Sequence, residues 1–271
     1  MKSVRHIAII ALPLFILAAC DKPNRDNGAP AANRATNANK SSGAAHLIPE
    51  EAIKKDDVQA VSKAIREGAD VNGLYGYGAL TALIKAADSD SAAVAKLLIE
   101  KKADVNRADK AGSTALMHAA RQNASKVAAL LLEQKADVEV SDKAGLTALM
   151  FASEASAYEV AKLLIDHGAK VNGTTDSYGM TPLIRAIKGR SVSIAQLLVD
   201  KGADVNARIE SSGTTPLMFA AGHKSLPIVK LLVERDADVQ ARDKANNSAL
   251  SVAQKSELND DVIAFLKEYG L

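Results

Sequence analysis

Side chains able to carry chemistry are few in this chain, and they are widely spaced. Its histidines are His6, His46, His118, His167 and His223, and its single cysteine is Cys20. A protein zinc site needs three or four nitrogen, sulfur or oxygen ligands converging on one ion, usually announced by His or Cys pairs a few residues apart. No such spacing occurs, and His118 and His223 stand too far apart to share an ion. His167, in "DHGAK", reads as a helix-end cap. The signatures of an esterase nucleophile elbow, a phosphate-cradling loop and a zinc-protease helix are all missing. The acid pair Asp260-Asp261 reads as negative charge placed at a helix N-terminus, where the backbone dipole favours it. These residues predict a protein that is not an enzyme and holds neither metal nor cofactor.

Cys20 is the exception that needs an explanation, because a disulfide requires a second thiol and a buried structural cysteine would sit among core residues. Instead it stands where an apolar run stops, in "ILAACDKPNRD". Ahead of it lie a basic start (Lys2, Arg5, His6), an apolar stretch from Ile7 through Leu17, and the small residues Ala18 and Ala19. That is the layout of an export signal; the run is shorter than the roughly 20 residues that span a bilayer and is broken by Pro13. With Leu17-Ala18-Ala19-Cys20 as its box, the segment resembles the signal of bacterial lipoproteins. The resemblance implies removal of residues 1–19, acylation of Cys20, and a location in the bacterial cell envelope, on the periplasmic face. Asp21, directly after the cysteine, leans toward the inner membrane in that family.

Loss of the signal takes Lys2 and Arg5 from 34 basic residues and leaves 32 against 32 acidic ones. A neutral chain lacks the electrostatic footprint of a nucleic-acid binder. Residues 20–45 follow as a tether. From 21 to 45 they contain no Leu, Ile, Val, Met or aromatic residue, so they cannot bury enough apolar surface to offset ordering and should be disordered. As a coil this segment would reach about 25–30 Å.

From residue 46 to 271 the chain repeats itself. Thr81-Ala-Leu, Thr114-Ala-Leu, Thr147-Ala-Leu, Thr181-Pro-Leu, Thr215-Pro-Leu and Ser248-Ala-Leu recur every 33 or 34 residues, and a second marker, Ala-Asp-Val-Asn at 69–72, keeps step with close variants. Thr or Ser followed by Pro or Ala reads as a helix start. Ala86, Ala119, Ala152, Ala186 and Ala220 permit close packing of that first helix. Runs such as Val94-Ala-Lys-Leu97-Leu98-Ile99 give a second, amphipathic helix. Two markers in register at this period resemble the ankyrin repeat. The resemblance implies an all-α repeat solenoid of six to seven units including caps, each a helix-turn-helix plus a β-hairpin finger. The family's usual His after Thr-Pro-Leu is replaced here by Ile84, Met117, Met150, Ile184, Met218 and Ser251. Residues 47–72 read as a degenerate first unit and 241–271 as the closing one.

What remains is recognition. In that family the fingers and the exposed side of the first helices form a concave binding face. The slot four residues after each Thr holds Lys85, His118, Phe151, Arg185, Phe219 and Val252; the slot seven after holds Asp88, Arg121, Glu154, Lys188, Gly222 and Lys255. Aromatic and arginine side chains dominate interface hot spots. The expected partner-binding residues are therefore Tyr75, Tyr77, Lys85, His118, Arg121, Phe151, Tyr178, Arg185, Lys188, Phe219 and His223. The expected protein is a monomer that binds another protein as scaffold or accessory in the envelope and touches the membrane only through lipidated Cys20. Two alternatives stand beside it: an immunity protein that inhibits a toxic periplasmic lipase or wall hydrolase, and a ligand-sensing protein.

Overall fold

The computed structural model describes residues 46–256 and 259–269. The signal of residues 1–19 and the tether of residues 20–45 lie outside the described residues, Cys20 and Asp21 included. What is described falls within one compact unit, Ala44–Leu271, built from seven helix pairs. The first helices are α1 (Glu50–Lys54), α3 (Ala82–Asp88), α5 (Ala115–Gln122), α7 (Ala148–Glu154), α9 (Pro182–Lys188), α11 (Pro216–Gly222) and α13 (Ala249–Lys255). Their partners are α2 (Val58–Arg66), α4 (Ala92–Glu100), α6 (Ser125–Glu133), α8 (Tyr158–Asp166), α10 (Val192–Asp200), α12 (Leu226–Glu234) and α14 (Asp260–Glu268). Odd helices pack side by side in one row and even helices in another, so each pair meets only its neighbours in the stack.

The repeating residues explain the repeating geometry. Thr81, Thr147, Thr181 and Thr215 each accept the backbone N–H three residues on, and Ser248 forms a reciprocal capping box with Ser251. Pro182 and Pro216 occupy the first turn, where no N–H is missed. The five recurring alanines are fully buried between neighbouring first helices. Ile84, Met117, Met150, Ile184 and Met218, standing where the family keeps a histidine, are buried too. Apolar packing thus runs along the middle of the core at these positions.

The Ala-Asp-Val-Asn marker proves to be a ladder between repeats. Asn72, Asn106, Asn172 and Asn206 each use Oδ1 to accept the N–H of the Asp one repeat later, at 2.7–2.9 Å, and Glu139 accepts the Lys170 N–H through Oε1 at 3.0 Å. The fingers depart from expectation. Among the described residues they carry isolated bridges only, Tyr75 with Leu80, Ala108 with Thr114 and Ser141 with Thr147, and no extended hairpin strands. Most are instead closed by an aspartate: Asp109, Asp142, Asp176 and Asp243 each take two finger amides on Oδ1. Gly112 and Gly145 lie in these turns at positive φ. A Cβ on Gly145 would come 3.0 Å from Asp176 Cα of the next finger.

Gly189 closes α9 against the end of α7 under tighter restraint. A Cβ there would lie 2.4 Å from the Glu154 carbonyl oxygen, and neither backbone can yield without moving a repeat. Gly189→Ala is expected to lower stability by about 1–3 kcal/mol, the usual range for overpacking; thermal melting of the two proteins side by side checks it.

Candidate protein-binding face

The slot four residues after each Thr lies under the finger of its own repeat, and this decides which expected residues are accessible. Arg185 is 5% exposed. Its Nε donates to Asp176 Oδ2 at 2.7 Å, Nη2 bonds the same oxygen, and Nη1 reaches Glu154 of the preceding repeat. Burial works against the guanidinium's charge, but the two carboxylates outweigh it and push its affinity for the proton up. Burial likewise opposes ionisation of Glu154, while Lys188 and Arg185 hold its carboxyl below the usual range. Lys188 completes this cage at 2.8 Å from Glu154.

His118, 4% exposed, occupies the equivalent place two repeats earlier. Its Nδ1 is 2.8 Å from Asp88 and its Nε2 3.1 Å from Asp109; Arg121 also reaches Asp88, at 3.1 Å. Asp88 is partly desolvated, which favours its neutral form, yet hydrogen bonds from His118, Gln122 and Arg121 hold its carboxyl below the ordinary value. Tyr75, 4% exposed, donates its hydroxyl to the Ile48 carbonyl at 2.8 Å. Burial pushes that phenol up to about 12.

Tyr75, His118 and Arg185 are therefore corrections: expected on an open binding face, they are interior groups. Tyr75 anchors the first unit, and the other two pin a finger to its helix. Lys85 is half-buried, paired with Glu50 at 3.1 Å and lying over the Tyr75 ring. Phe151 and Phe219 are half-buried against the core. His223 caps α11 through its Nδ1, 3.0 Å from the Phe219 carbonyl, and stacks on the Phe219 ring. His167 caps α8 through Leu163 in the way its sequence context suggests.

The open residues lie at the finger tips and in the slot seven after Thr. Tyr77 is 92% exposed, with Lys110 Nζ 4.0 Å above its ring, and Tyr178 is 69% exposed. Arg121 and Lys188 are exposed as well. Neighbouring fingers are joined backbone to backbone: Lys110 donates to Gly78, Lys143 to Ala111, Ser177 to Ala144 and Lys244 to Ser212, at 2.8–2.9 Å. The finger aspartates were not among the residues the sequence singled out. Their signal is the Asp-x-x-Gly spacing at 109–112, 142–145 and 176–179. Among the described residues, no group of three or more metal-binding side chains occurs and no helix is long and apolar enough to cross a membrane.

A stack of helix pairs with a rigid, linked edge of fingers defines a helical-repeat interaction module. Profiles described as ankyrin repeats match residues 50–142, 134–209 and 208–253, and the chain belongs to the ankyrin-repeat family. Among solved structures it is similar to the human ASB11 ankyrin repeat domain, with TM-score 0.70 and 25% identity, covering 79% of this chain and 96% of that one. It is also similar to the ankyrin repeat domain of Bcl-3, a member of the IkappaB family, with TM-score 0.67 and 30% identity, covering 80% and 96%. No curated protein matches the sequence. Ankyrin repeats are protein-binding modules, and no enzyme family matches the chain.

Proposed function

We propose that this chain is a lipid-anchored ankyrin module of a bacterial envelope, tethered through acylated Cys20 on the periplasmic face, which binds another protein as its scaffold or accessory. The observation that carries the binding face is the pair of aromatic side chains held out on linked fingers. A tyrosine at a finger tip contributes nothing to the core, while its large, stiff, amphipathic ring suits it to an interface. Arg121 and Lys188 extend the same side of the molecule toward the first helices.

The partner is to be captured from envelope extract and identified by mass spectrometry. Tyr77→Ser together with Tyr178→Ser is expected to weaken capture at least tenfold, since truncating a tyrosine that serves as an interface hot spot costs about 2 kcal/mol or more. The melting temperature should not change, because neither ring is buried. Undiminished capture would remove the finger tips from the interface. Stabilisation of a captured enzyme supports the accessory role; stoichiometric inhibition of a captured hydrolase would assign immunity instead.

A further inference from the structure

Charge along the first-helix row follows one rule in the four repeats that begin at Thr114, Thr147, Thr181 and Thr215. In two repeats the slot four after Thr holds a hydrogen-bonding side chain on which a carboxylate of its own finger and one from the preceding repeat close: His118 between Asp109 and Asp88, Arg185 between Asp176 and Glu154; Lys85, whose finger holds no acid, pairs with Glu50 of the preceding unit. Where that slot holds phenylalanine, the preceding repeat supplies a cation, Arg121 before Phe151 and Lys188 before Phe219. The last repeat breaks the rule. Its finger carries Asp243, but the slot holds Val252, and the preceding repeat offers Gly222, which has no side chain.

The result is a groove of about 330 Å³ between α11 and α13, lined by Met218, Phe219, Gly222, His223, Asp243 and Val252. Asp243 stays ionised readily. The Asn247 side chain, the Asn247 and Ala245 amides and nearby Lys255 all hold its carboxyl below the ordinary value. Lys255 itself spends its ammonium on the Asn247 side-chain oxygen. So the groove keeps the finger carboxylate and an apolar floor, and where Asp176 Oδ2 takes the Arg185 guanidinium, Asp243 Oδ2 accepts the neutral Asn247 Nδ2 at 2.9 Å.

We infer that this groove receives an arginine side chain of the protein partner, its methylene stem against Phe219 and Val252 and its guanidinium on Asp243. Arg185 supplies the template within the same molecule, a guanidinium lying on the finger aspartate beside the first helix. Arginine fits better than lysine. Its planar head can present two N–H groups to a carboxylate whose oxygens already accept other donors, whereas an ammonium is a compact and strongly hydrated point charge. The inference rests on the protein-binding reading but is tested without the partner, so the two can fail separately.

Isothermal titration of the full chain, in mild detergent, with Nα-acetyl-arginine amide is the experiment, with the citrulline and lysine amides as neutral and ammonium controls. Arginine amide is expected to bind with a dissociation constant of about 1–10 mM, a range suited to one anchored side chain, and citrulline amide at least tenfold more weakly. Asp243→Asn keeps an oxygen for the finger amides and should weaken arginine at least tenfold. Val252→Arg, which supplies the cation from within as Arg185 does, should abolish binding while leaving the melting temperature equal or higher. Absence of arginine binding, equal binding of the lysine amide, or binding that survives both substitutions would overturn the proposal.

Discussion

Arg185→Ala is expected to destabilise the repeat stack by about 3–5 kcal/mol, the range found when one partner of a buried ion pair is removed. The reason lies with the residue left behind. The Asp176 side chain has no exposed surface, and its Oδ1 must remain where it is to hold the Tyr178 and Met180 amides. Deleting the guanidinium strands a carboxylate in a space water does not reach, and it also empties the volume under the finger. The cage is not thereby a net stabiliser compared with an apolar interior, because both charges were desolvated to build it. Arg185→Leu combined with Asp176→Asn should accordingly recover most of the loss, since Asn keeps the acceptor for the finger amides. The coupling between the two positions should reach about 2 kcal/mol or more. Glu154→Gln should cost far less, about 0.5–1 kcal/mol, because Glu154 is more than a third exposed and its attraction is screened. Urea unfolding followed by circular dichroism and tyrosine fluorescence checks all three. Two probes are needed because a linear stack weakened near its middle can unfold in parts. Arg185→Ala within about 1 kcal/mol of wild type would show that the cage is not what fixes that finger.

How much of this was legible beforehand divides along a physical line. Contacts within one turn of chain show in sequence as spacing, so the Thr caps, the alanine positions and the two amphipathic helices of each repeat could be read from residues alone. The Ala-Asp-Val-Asn marker was visible as a pattern, but its mechanism was not. Asn72 serves the Asp104 amide one repeat onward, and nothing local in residues 69–72 says so. The same blindness explains Tyr75, whose hydroxyl reaches the Ile48 carbonyl 27 residues earlier, and it explains His118 and Arg185. Periodicity places the fourth residue after Thr on the helix side turned away from the core, and there a lone cation reads as solvent-facing. What covers it is its own finger, folded back from nine residues upstream, together with an acid about thirty residues earlier. Asp109 and Asp176 recur with the Asp-x-x-Gly spacing of their fingers, which announces a turn but not the helix side chain that each receives. Tyr77 and Tyr178, by contrast, sit at finger tips beside glycine, Tyr77 between Gly76 and Gly78 and Tyr178 before Gly179, a setting that local sequence does express.

Cys20→Ser is expected to move the chain wholly from the membrane fraction to the soluble one and to abolish incorporation of a fatty-acid analogue. Membrane affinity of an acylated protein is set by methylenes, each contributing about 0.8 kcal/mol, so that one chain holds a protein marginally and two or more hold it stably. In the proposed anchor a thioether-linked diacylglycerol would supply two chains through the Cys20 sulfur, and N-acylation a third. Serine offers no thiol for the first attachment, and the steps that depend on it are lost together. The described helices contribute no substitute, since none is long and apolar enough to span a bilayer, and the formal charge balance of a chain without residues 1–19 would give no attraction to anionic lipid. The repeat unit should melt at an unchanged temperature, because the helices from Glu50 onward bury their apolar faces against one another. Intact mass separates the possible failures. Wild-type chain with a free thiol at Cys20, or Cys20→Ser chain that still carries label, would break the link between this cysteine and the envelope. A retained residue 1–19 segment on unlabelled wild type would recast that segment as a plain apolar anchor.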